Sequence, residues 1–348
     1  MRVVHGGDIY RNRVKLDFSV NVNPFGMPEA VKSSLHAAVE SSGSYPDITA
    51  ENLRKTISDM LHIPQENLLF GNGASELFMA IMHGIRPNKT VIPIPSFYGY
   101  EYAAEAIEGE VIYYETKQED NFAIREDIVE LLKEDVDLLF LANPNNPTGT
   151  LMDMEVLKTL LCQCRDMGIL VVLDECFIEF CGEEFSMLWE TALFENLILI
   201  RAFTKIFAIP GVRLGYLVCN NNELVNRIKR QLPEWNLSSF AQAAGVACVA
   251  QTDYIRETAI RIKEERIFLE TGLRALGFCV FPTEANFILL FSEKSLYEGL
   301  LRQGILIRNC ENFKGLTKGF YRIAVKSREE NEVLLKALGE INWNIGTR

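Results

Sequence analysis

Several features that mark common protein classes are missing from this chain or scarce in it. No apolar run is long enough to span a bilayer, and the first fifteen residues contain no apolar core of the kind found in secretory signals. The net charge is −12, whereas a face that binds nucleic acid is usually basic. We therefore expect a cytoplasmic protein that binds neither membranes nor nucleic acids.

Patterns typical of metal and dinucleotide sites are missing as well. The 8 cysteines are scattered without a CxxC pair, and the 4 histidines do not cluster with them. We interpret the cysteines as reduced core residues and predict no metal site. The GxGxxG pattern is also absent, which disfavours a nicotinamide cofactor.

The order of apolar runs predicts an α/β fold with a mainly parallel sheet flanked by helices. Such runs occur near residues 91, 138, 171, 199 and 216, mostly separated by stretches with helical periodicity. Toward the C-terminus, Phe287–Phe291, Ile305–Arg308 and Tyr321–Val325 read as strands of a smaller α+β domain. We predict an N-terminal arm and helix at 1–40, which joins the small domain, a large domain at 41–250 and the small domain at 251–348.

The stretch RAFTKIFAIPGVRLGY, residues 201–216, contains one lysine in a loop between two apolar strands. An apolar setting lowers the pKa of an amine, and a neutral amine is a nucleophile toward carbonyl groups. Arg213, eight residues after Lys205, offers a planar guanidinium suited to phosphate. This pair suits pyridoxal phosphate, but an ordinary strand–loop–strand with a surface lysine fits the stretch equally well.

Other candidate groups follow the predicted strands. Gly71-Asn-Gly-Ala-Ser75 precedes a helix, where backbone N–H groups bind phosphate, although Ser75 could simply cap that helix. Aromatic residues follow the strand near residue 91 at a position where α/β folds place ligands, and they could equally belong to the core. Asp174 ends a buried strand and needs a partner, which could be a pyridinium nitrogen.

Five short motifs occur in order along the chain: Gly71-Asn-Gly-Ala-Ser75, Asn143-Pro-Asn-Asn-Pro-Thr-Gly149, Asp174-Glu175, Thr204-Lys205 and Gly211-Val-Arg213. Each is weak alone, but their order and spacing resemble those of fold-type I pyridoxal-phosphate enzymes of the class I/II aminotransferase group over nearly the whole chain. The resemblance implies a sheet of the seven-stranded type, a smaller α+β C-terminal domain, and pyridoxal phosphate as cofactor.

The resemblance also implies which residues bind the cofactor. Lys205 is similar to the lysine that forms a Schiff base and later moves a proton, and Asp174 to the partner of the pyridine nitrogen. Phe97 occupies the ring-stacking position, and Asn146 is similar to the asparagine that bonds the ring's 3′ oxygen. The implied phosphate site consists of Gly73, Ala74, Ser75, Thr204 and Arg213.

Further implications concern the partner subunit and the substrate. Tyr45 is similar to a tyrosine that reaches the cofactor phosphate of the neighbouring subunit, which implies a homodimer. Arg322 is similar to the arginine that binds the substrate carboxylate, and we add Asn21 to this contact. His5 and Arg308 are candidates for a substrate phosphate, although His5 could be a mobile terminal residue and Arg308 a surface arginine.

Within the group, the chain is most similar to threonine-phosphate decarboxylases and next to histidinol-phosphate aminotransferases. Many aminotransferases have a tyrosine three residues after the aspartate, and here that residue is Phe177. Phe177 agrees with the decarboxylases, and the resemblance to them implies decarboxylation of O-phospho-L-threonine in cobalamin biosynthesis. The alternatives are a transaminase, or a module that binds pyridoxal phosphate without catalysis.

Overall fold

The fold is known from a computed structural model that describes residues 5–343. Residues 1–4 of the predicted arm and 344–348 of the predicted small domain lie outside the described residues. The helices are α1 Glu29–Ser41, α2 Glu51–Leu61, α3 Ala74–Ile85, α4 Tyr98–Glu105, α5 Met154–Asp166, α6 Phe203–Ile206, α7 Asn222–Lys229, α8 Ser239–Val249, α9 Thr252–Ala275, α10 Tyr297–Arg302 and α11 Arg328–Trp343. The strands are β1 Leu16–Asp17, β2 Leu68–Gly71, β3 Lys89–Ile94, β4 Glu110–Glu115, β5 Leu138–Ala142, β6 Leu170–Asp174, β7 Leu197–Ala202, β8 Gly215–Val218, β9 Cys279–Val280, β10 Phe287–Phe291, β11 Ile305–Leu306, β12 Arg308–Asn309 and β13 Phe320–Ala324.

The large sheet has seven strands in the order β2-β8-β7-β6-β5-β3-β4. Strands β4, β3, β5, β6 and β7 run parallel, while β8 is antiparallel to both of its neighbours. The prediction of a mainly parallel sheet is therefore confirmed. The edge strand β4 was missed because its sequence, EVIYYE, is only partly buried and lacks the continuous apolar run of a central strand.

The parallel strands bring several chain segments to one edge of the sheet. Strands β5, β6 and β7 are buried along nearly their whole length. In their register, Ala142 lies opposite Asp174, and Asp174 lies opposite Ile200. Their carboxyl ends therefore meet, and in open α/β sheets this edge is where ligands bind.

A smaller antiparallel sheet has the strand order β12-β13-β10-β9. The predicted single strand Ile305–Arg308 is wrong, because the chain divides at Ile307. Its first part, β11, pairs in parallel with β1 of the arm, and its second part, β12, pairs with β13. In the latter pair Arg308 lies directly opposite Arg322, which gives both side chains the same face of the sheet.

The N-terminal arm contacts both parts of the molecule. Strand β1 pairs with β11, whereas helix α1 packs against α8, where the Ser34 hydroxyl donates to the Ala243 carbonyl at 2.8 Å. The domain boundaries at residues 40 and 250 stay a prediction.

A buried ion pair fixes the chain where β6 ends. The Glu175 carboxylate accepts hydrogen bonds from Arg201 Nε at 3.2 Å, from the Ser186 hydroxyl at 2.6 Å and from the Met187 N–H at 2.8 Å. Because removing one partner of a buried pair leaves an uncompensated charge, this cluster holds the segment next to Asp174 in one position.

The cysteines are only partly the core residues that we predicted. Cys164, Cys176, Cys219, Cys248 and Cys310 are buried, but Cys279 is exposed. Within residues 5–343, no three His, Cys, Asp or Glu side chains are arranged to hold a metal ion. The same part of the chain contains no helix that is both long and apolar enough to cross a membrane.

Candidate active site

A cavity of about 770 Å³ opens at the carboxyl edge of the large sheet. The arm, the large sheet and the small sheet all contribute to its wall. All but two of the predicted site residues line it, namely His5, Asn21, Ala74, Ser75, Phe97, Asn146, Asp174, Thr204, Lys205, Arg213, Arg308 and Arg322. The two others, Gly73 and Tyr45, lie outside this lining.

Lys205 lies on α6, a single helical turn that directly follows β7. The sequence predicted a loop here, and that prediction is wrong for residues 203–206. Burial lowers the pKa of the Lys205 amine to about 8, and the positive charge of Arg322 acts in the same direction. A substantial fraction of the amine is therefore neutral near pH 8, as a nucleophile toward carbonyl groups must be.

This lowered pKa predicts the pH dependence of the reaction of Lys205 with an aldehyde. Below about pH 8 the amine holds its proton and does not attack, and above it the amine is neutral. We expect borohydride-trapped labelling of Lys205 to rise between about pH 7 and 9 and then to level off. Lys89, whose pKa is raised by its hydrogen bond to Asp135, is the internal control. A Lys205 profile that parallels that of Lys89 would contradict this prediction.

The start of α3 and Arg213 form a cup for an anion. Gly73 precedes the helix with φ of 82°, and no side chain caps the first turn. The alternative role of Ser75 as a helix cap is therefore wrong. A Cβ at Gly73 would lie 2.3 Å from Arg213 Nη2, so a larger residue here would displace the guanidinium from this position. Arg213 itself has a φ of 61°, a conformation that is costly for a non-glycine residue and is found at functional sites.

Asp174 is a buried carboxylate at the end of β6. It accepts hydrogen bonds from the Tyr100 hydroxyl at 2.6 Å and from the Cys176 N–H at 2.9 Å. Burial raises the pKa of Asp174, and these hydrogen bonds oppose that rise. Both donors are neutral, so a cationic ring nitrogen placed opposite would compensate the charge.

Tyr100 donates to Asp174 from the first turn of α4 and is not among the site residues predicted from the sequence. Its side chain is buried and stacks on Phe140 with ring centroids 4.9 Å apart. The aromatic segment after β3 was the available signal, but only Phe97 was selected from it. A hydrogen bond between residues 74 positions apart cannot be predicted from their spacing in the sequence.

Two buried arginines from the small sheet reach the cavity. Arg322 donates through Nη2 to the Ser19 carbonyl at 2.8 Å and through Nη1 to Asn146, while its Nε is buried without a partner in the described structure. Burial lowers the pKa of Arg322 to about 10, and the charge of Arg308 adds to this effect. Arg308 is buried as well, which overturns its alternative interpretation as a surface arginine.

The arm supplies His5 and Asn21. The His5 ring lies 5.8 Å from the Phe97 ring, and burial together with the charges of Arg308 and Arg322 lowers the pKa of His5. Asn21 is 3% exposed, and its Oδ1 has no hydrogen-bond donor among the described residues. Asn21 and Arg322 line the same cavity, and an amide oxygen and a guanidinium N–H left without partners there indicate a place for a polar ligand.

Two further residues discussed in the sequence analysis are Phe177, which lies near Lys205, and Tyr45, which does not line the cavity. The Phe177 ring centre lies 6.0 Å from the Lys205 amine. Unlike the tyrosine that many aminotransferases have at this position, a phenylalanine cannot donate a hydrogen bond. Tyr45 is 84% exposed, and its ring centre lies 5.2 Å from that of Trp235. It therefore lies at the molecular surface, outside the lining of the cavity.

Comparison with known proteins agrees with this geometry. The sequence profile described as aminotransferase class I and II matches residues 13–338. The chain is 34% identical to the threonine-phosphate decarboxylase of Salmonella typhimurium, with 94% of this chain and 91% of that protein covered. It is also 38% identical to the adenosylcobalamin biosynthesis bifunctional protein CobDQ of Leptospira interrogans, over 99% of this chain but 41% of that longer protein.

Among solved structures, the histidinol-phosphate aminotransferase from Clostridium acetobutylicum is similar, with a TM-score of 0.89 and 35% identity over 94% of this chain and 99% of that one. The resemblance predicted from the sequence is thereby confirmed. The chain belongs to the aminotransferase class I and II family.

Proposed function

We propose that the protein is a pyridoxal-phosphate enzyme that decarboxylates O-phospho-L-threonine to (R)-1-aminopropan-2-yl phosphate. The observation that carries this proposal is the pair of buried arginines, Arg308 and Arg322, which lie directly opposite each other on β12 and β13. Like charges on opposed residues destabilise a sheet, and burial increases that cost. Both side chains line the cavity, so a ligand with two anionic groups would suit this pair, and O-phospho-L-threonine carries a carboxylate and a phosphate on neighbouring carbons.

The residues around Lys205 fit pyridoxal phosphate. The cup formed by Gly73, Ala74 and Arg213 suits its phosphate, together with Ser75 and Thr204 on the cavity wall. Asp174 suits its ring nitrogen, Asn146 its 3′ oxygen and Phe97 one face of its ring. When bound, this cofactor withdraws electrons from the α-carbon of an amino acid and so weakens the bonds to that carbon.

The remaining residues determine how the substrate lies. Arg322 through its unused Nε and Asn21 through its side-chain N–H groups would donate to the carboxylate, while Arg308 and His5 would donate to the phosphate. Which bond breaks depends on which one stands perpendicular to the cofactor ring, a matter of orientation. Two anchored anionic groups would fix that orientation, and Lys205 in its protonated form would donate a proton to the α-carbon after carbon dioxide leaves.

The decisive experiment separates decarboxylation from amino transfer. The purified protein with pyridoxal phosphate is incubated with O-phospho-L-threonine, and released carbon dioxide is trapped. The same protein is incubated with histidinol phosphate and 2-oxoglutarate, and glutamate is measured. We expect carbon dioxide from the first substrate without any need for a keto acid. Keto-acid-dependent glutamate formation without carbon dioxide release would contradict the proposal.

Histidinol-phosphate aminotransferase remains the second candidate function. It is favoured by the similarity to the Clostridium acetobutylicum structure, which extends over 94% of this chain. That experiment decides between the two functions because each enzyme would act on only one of the two mixtures.

Arg308 provides a test of the phosphate contact. Its guanidinium donates to the Asn312 side chain at 2.7 Å and lies 4.9 Å from the Phe313 ring centre, so its position is fixed. Because hydrogen bonds to charged groups contribute about 1.5–3 kcal/mol, we expect Arg308→Gln to raise the KM for O-phospho-L-threonine roughly 10- to 100-fold, with a much smaller change in kcat. Steady-state kinetics measures both constants.

Lys314 supplies the matched control for Arg308. It also lines the cavity, but its amine is already paired with Glu101 at 2.6 Å. We expect Lys314→Gln to change the KM far less. If both variants raise the KM equally, the effect is one of general charge in the cavity, and the specific role of Arg308 is wrong.

We also propose that the protein is a cytoplasmic homodimer. Tyr45, Ile48 and Trp235 are exposed hydrophobic residues, and Tyr45 would reach the cofactor phosphate of a second copy. Sedimentation of the purified protein as a monomer at micromolar concentration would contradict the dimer.

A further inference from the structure

The helix that carries Lys205 is so short that its last carbonyl groups need hydrogen-bond donors from outside the helix. α6 contains only the four residues Phe203–Ile206, and the last four C=O groups of an α-helix have no partner within that helix. Ala208 N–H donates to the Lys205 carbonyl at 3.2 Å. Further hydrogen bonds to this turn come from a distant part of the chain.

Asn23 of the N-terminal arm supplies those bonds. Its backbone N–H donates to the Lys205 carbonyl at 3.1 Å, and its side-chain Nδ2 donates to the Ile206 carbonyl at 2.7 Å. Its Oδ1 accepts from the Phe25 N–H at 3.0 Å, which fixes the orientation of the amide. Asn23 is 3% exposed, so both bonds are shielded from water.

The same amide also ties this turn to helix α9. Its Nδ2 lies 2.8 Å from the hydroxyl of Tyr254 and 3.3 Å from that of Thr258. The Tyr254 hydroxyl in turn donates to the Gly26 carbonyl of the arm. Asn23 therefore lies where the arm, the Lys205 turn and α9 meet, and it does not line the cavity.

We propose that Asn23 is a positioning residue for Lys205, and this proposal rests on the function proposed above. Asn23 does not line the cavity, so it would act through its hydrogen bonds to the backbone of residues 205 and 206. Two residues before it, Asn21 lines the cavity. One short segment of the arm thus holds both a substrate-binding amide and the turn that carries the reactive amine, and it fixes their relative position.

The test compares Asn23→Ala with the wild-type protein. The variant leaves the Ile206 carbonyl buried without its donor, so the Lys205 turn shifts. Because a misplacement of about 1 Å can cost roughly 100-fold in rate, we expect kcat to fall about 10- to 100-fold. The KM for O-phospho-L-threonine should change less than about threefold, since the groups that bind the substrate remain.

A second readout does not depend on turnover. Pyridoxal phosphate is added to the cofactor-free protein over a pH series, and the product is trapped with borohydride and mapped to Lys205. We expect the midpoint of labelling to move upward from about 8, because a loosened turn lets water reach the amine. A role in arm stability alone would not move this midpoint.

Tyr254→Phe is the matched control. It removes a hydroxyl that binds both Asn23 and Gly26 but leaves the bond from Asn23 to Ile206 in place. We expect wild-type kcat within about twofold and an unchanged labelling midpoint. If Asn23→Ala and Tyr254→Phe behave alike in both readouts, the positioning role is wrong. Should Asn23→Ala fail to fold, the smaller change Asn23→Ser is measured in the same way.

The two readouts separate this inference from the proposed function. If the wild-type protein releases no carbon dioxide but the labelling midpoint of Asn23→Ala is shifted, the proposed reaction fails and the positioning role stands. If carbon dioxide is released and the midpoint is unchanged, the reaction stands and the positioning role fails.

Discussion

Replacement of Lys205 with arginine is expected to reduce the release of carbon dioxide from O-phospho-L-threonine roughly 10⁴-fold, the largest effect of any single substitution in this protein. Arginine keeps the positive charge and much of the volume, but its guanidinium cannot act as a neutral nucleophile or move a proton near pH 7. The lowered pKa of the Lys205 amine, about 8, is what suits it to both tasks. The measurement is single-turnover carbon dioxide release at saturating pyridoxal phosphate.

Comparison of Lys205→Arg with Lys205→Ala separates charge from chemistry. If the positive charge alone mattered, arginine would restore most of the activity that alanine loses. We expect both variants to be equally inactive and to retain the thermal stability of the wild type within a few degrees. A Lys205→Arg protein with more than about a tenth of wild-type turnover would show that the amine is not the reacting group.

Asp174→Asn is expected to have the second largest effect, a loss of roughly 1,000-fold in kcat/KM. The substitution keeps the size of the side chain and replaces a buried charge with a neutral amide. A charge pair about 4 Å apart contributes about 4 kcal/mol in a partly polar interior, which corresponds to roughly three orders of magnitude. A positive ring nitrogen held against Asp174 would lose that partner. The Kd of pyridoxal phosphate, measured by absorbance titration, should rise as well.

Tyr100→Phe is the control for Asp174→Asn. It removes one donor to Asp174 at 2.6 Å but leaves the carboxylate charge and the Cys176 N–H in place. We expect a loss of no more than about 100-fold, because one hydrogen bond to a charged group contributes about 1.5–3 kcal/mol. Equal losses in the two variants would mean that the network, and not the negative charge, is what matters at residue 174.

The parts of the fold and of the candidate site that could be predicted from the sequence are those that follow from hydrophobic periodicity. Strands β5, β6 and β7 are continuous apolar runs, so the polar residues that follow them could be placed at one edge of a parallel sheet. Asp174 and Lys205, at the ends of β6 and β7, were placed at the candidate site in this way, and the family resemblance implied their roles. The glycine turn before α3 was selected for another reason, because it precedes a helix. The edge strand β4 lacks such a run and was missed.

Other features depend on tertiary contacts that spacing does not encode. The burial of Arg308 and its register opposite Arg322 come from the break between β11 and β12, which looks like one strand in the sequence. The bond from Tyr100 to Asp174 joins residues 74 positions apart, and that from Asn23 to Ile206 joins residues 183 positions apart. These contacts depend on the three-dimensional structure and have no local signal in the sequence.

The most direct test of the central claim, that Lys205 is the residue that binds pyridoxal phosphate, is reduction of the purified protein with borohydride after addition of the cofactor. Peptide mapping by mass spectrometry then locates the label. We expect one labelled lysine, Lys205, with labelling abolished in Lys205→Arg and weakened in Arg213→Gln. A protein that stays colourless with pyridoxal phosphate, or a label at another lysine with Lys205 unmodified, would contradict it.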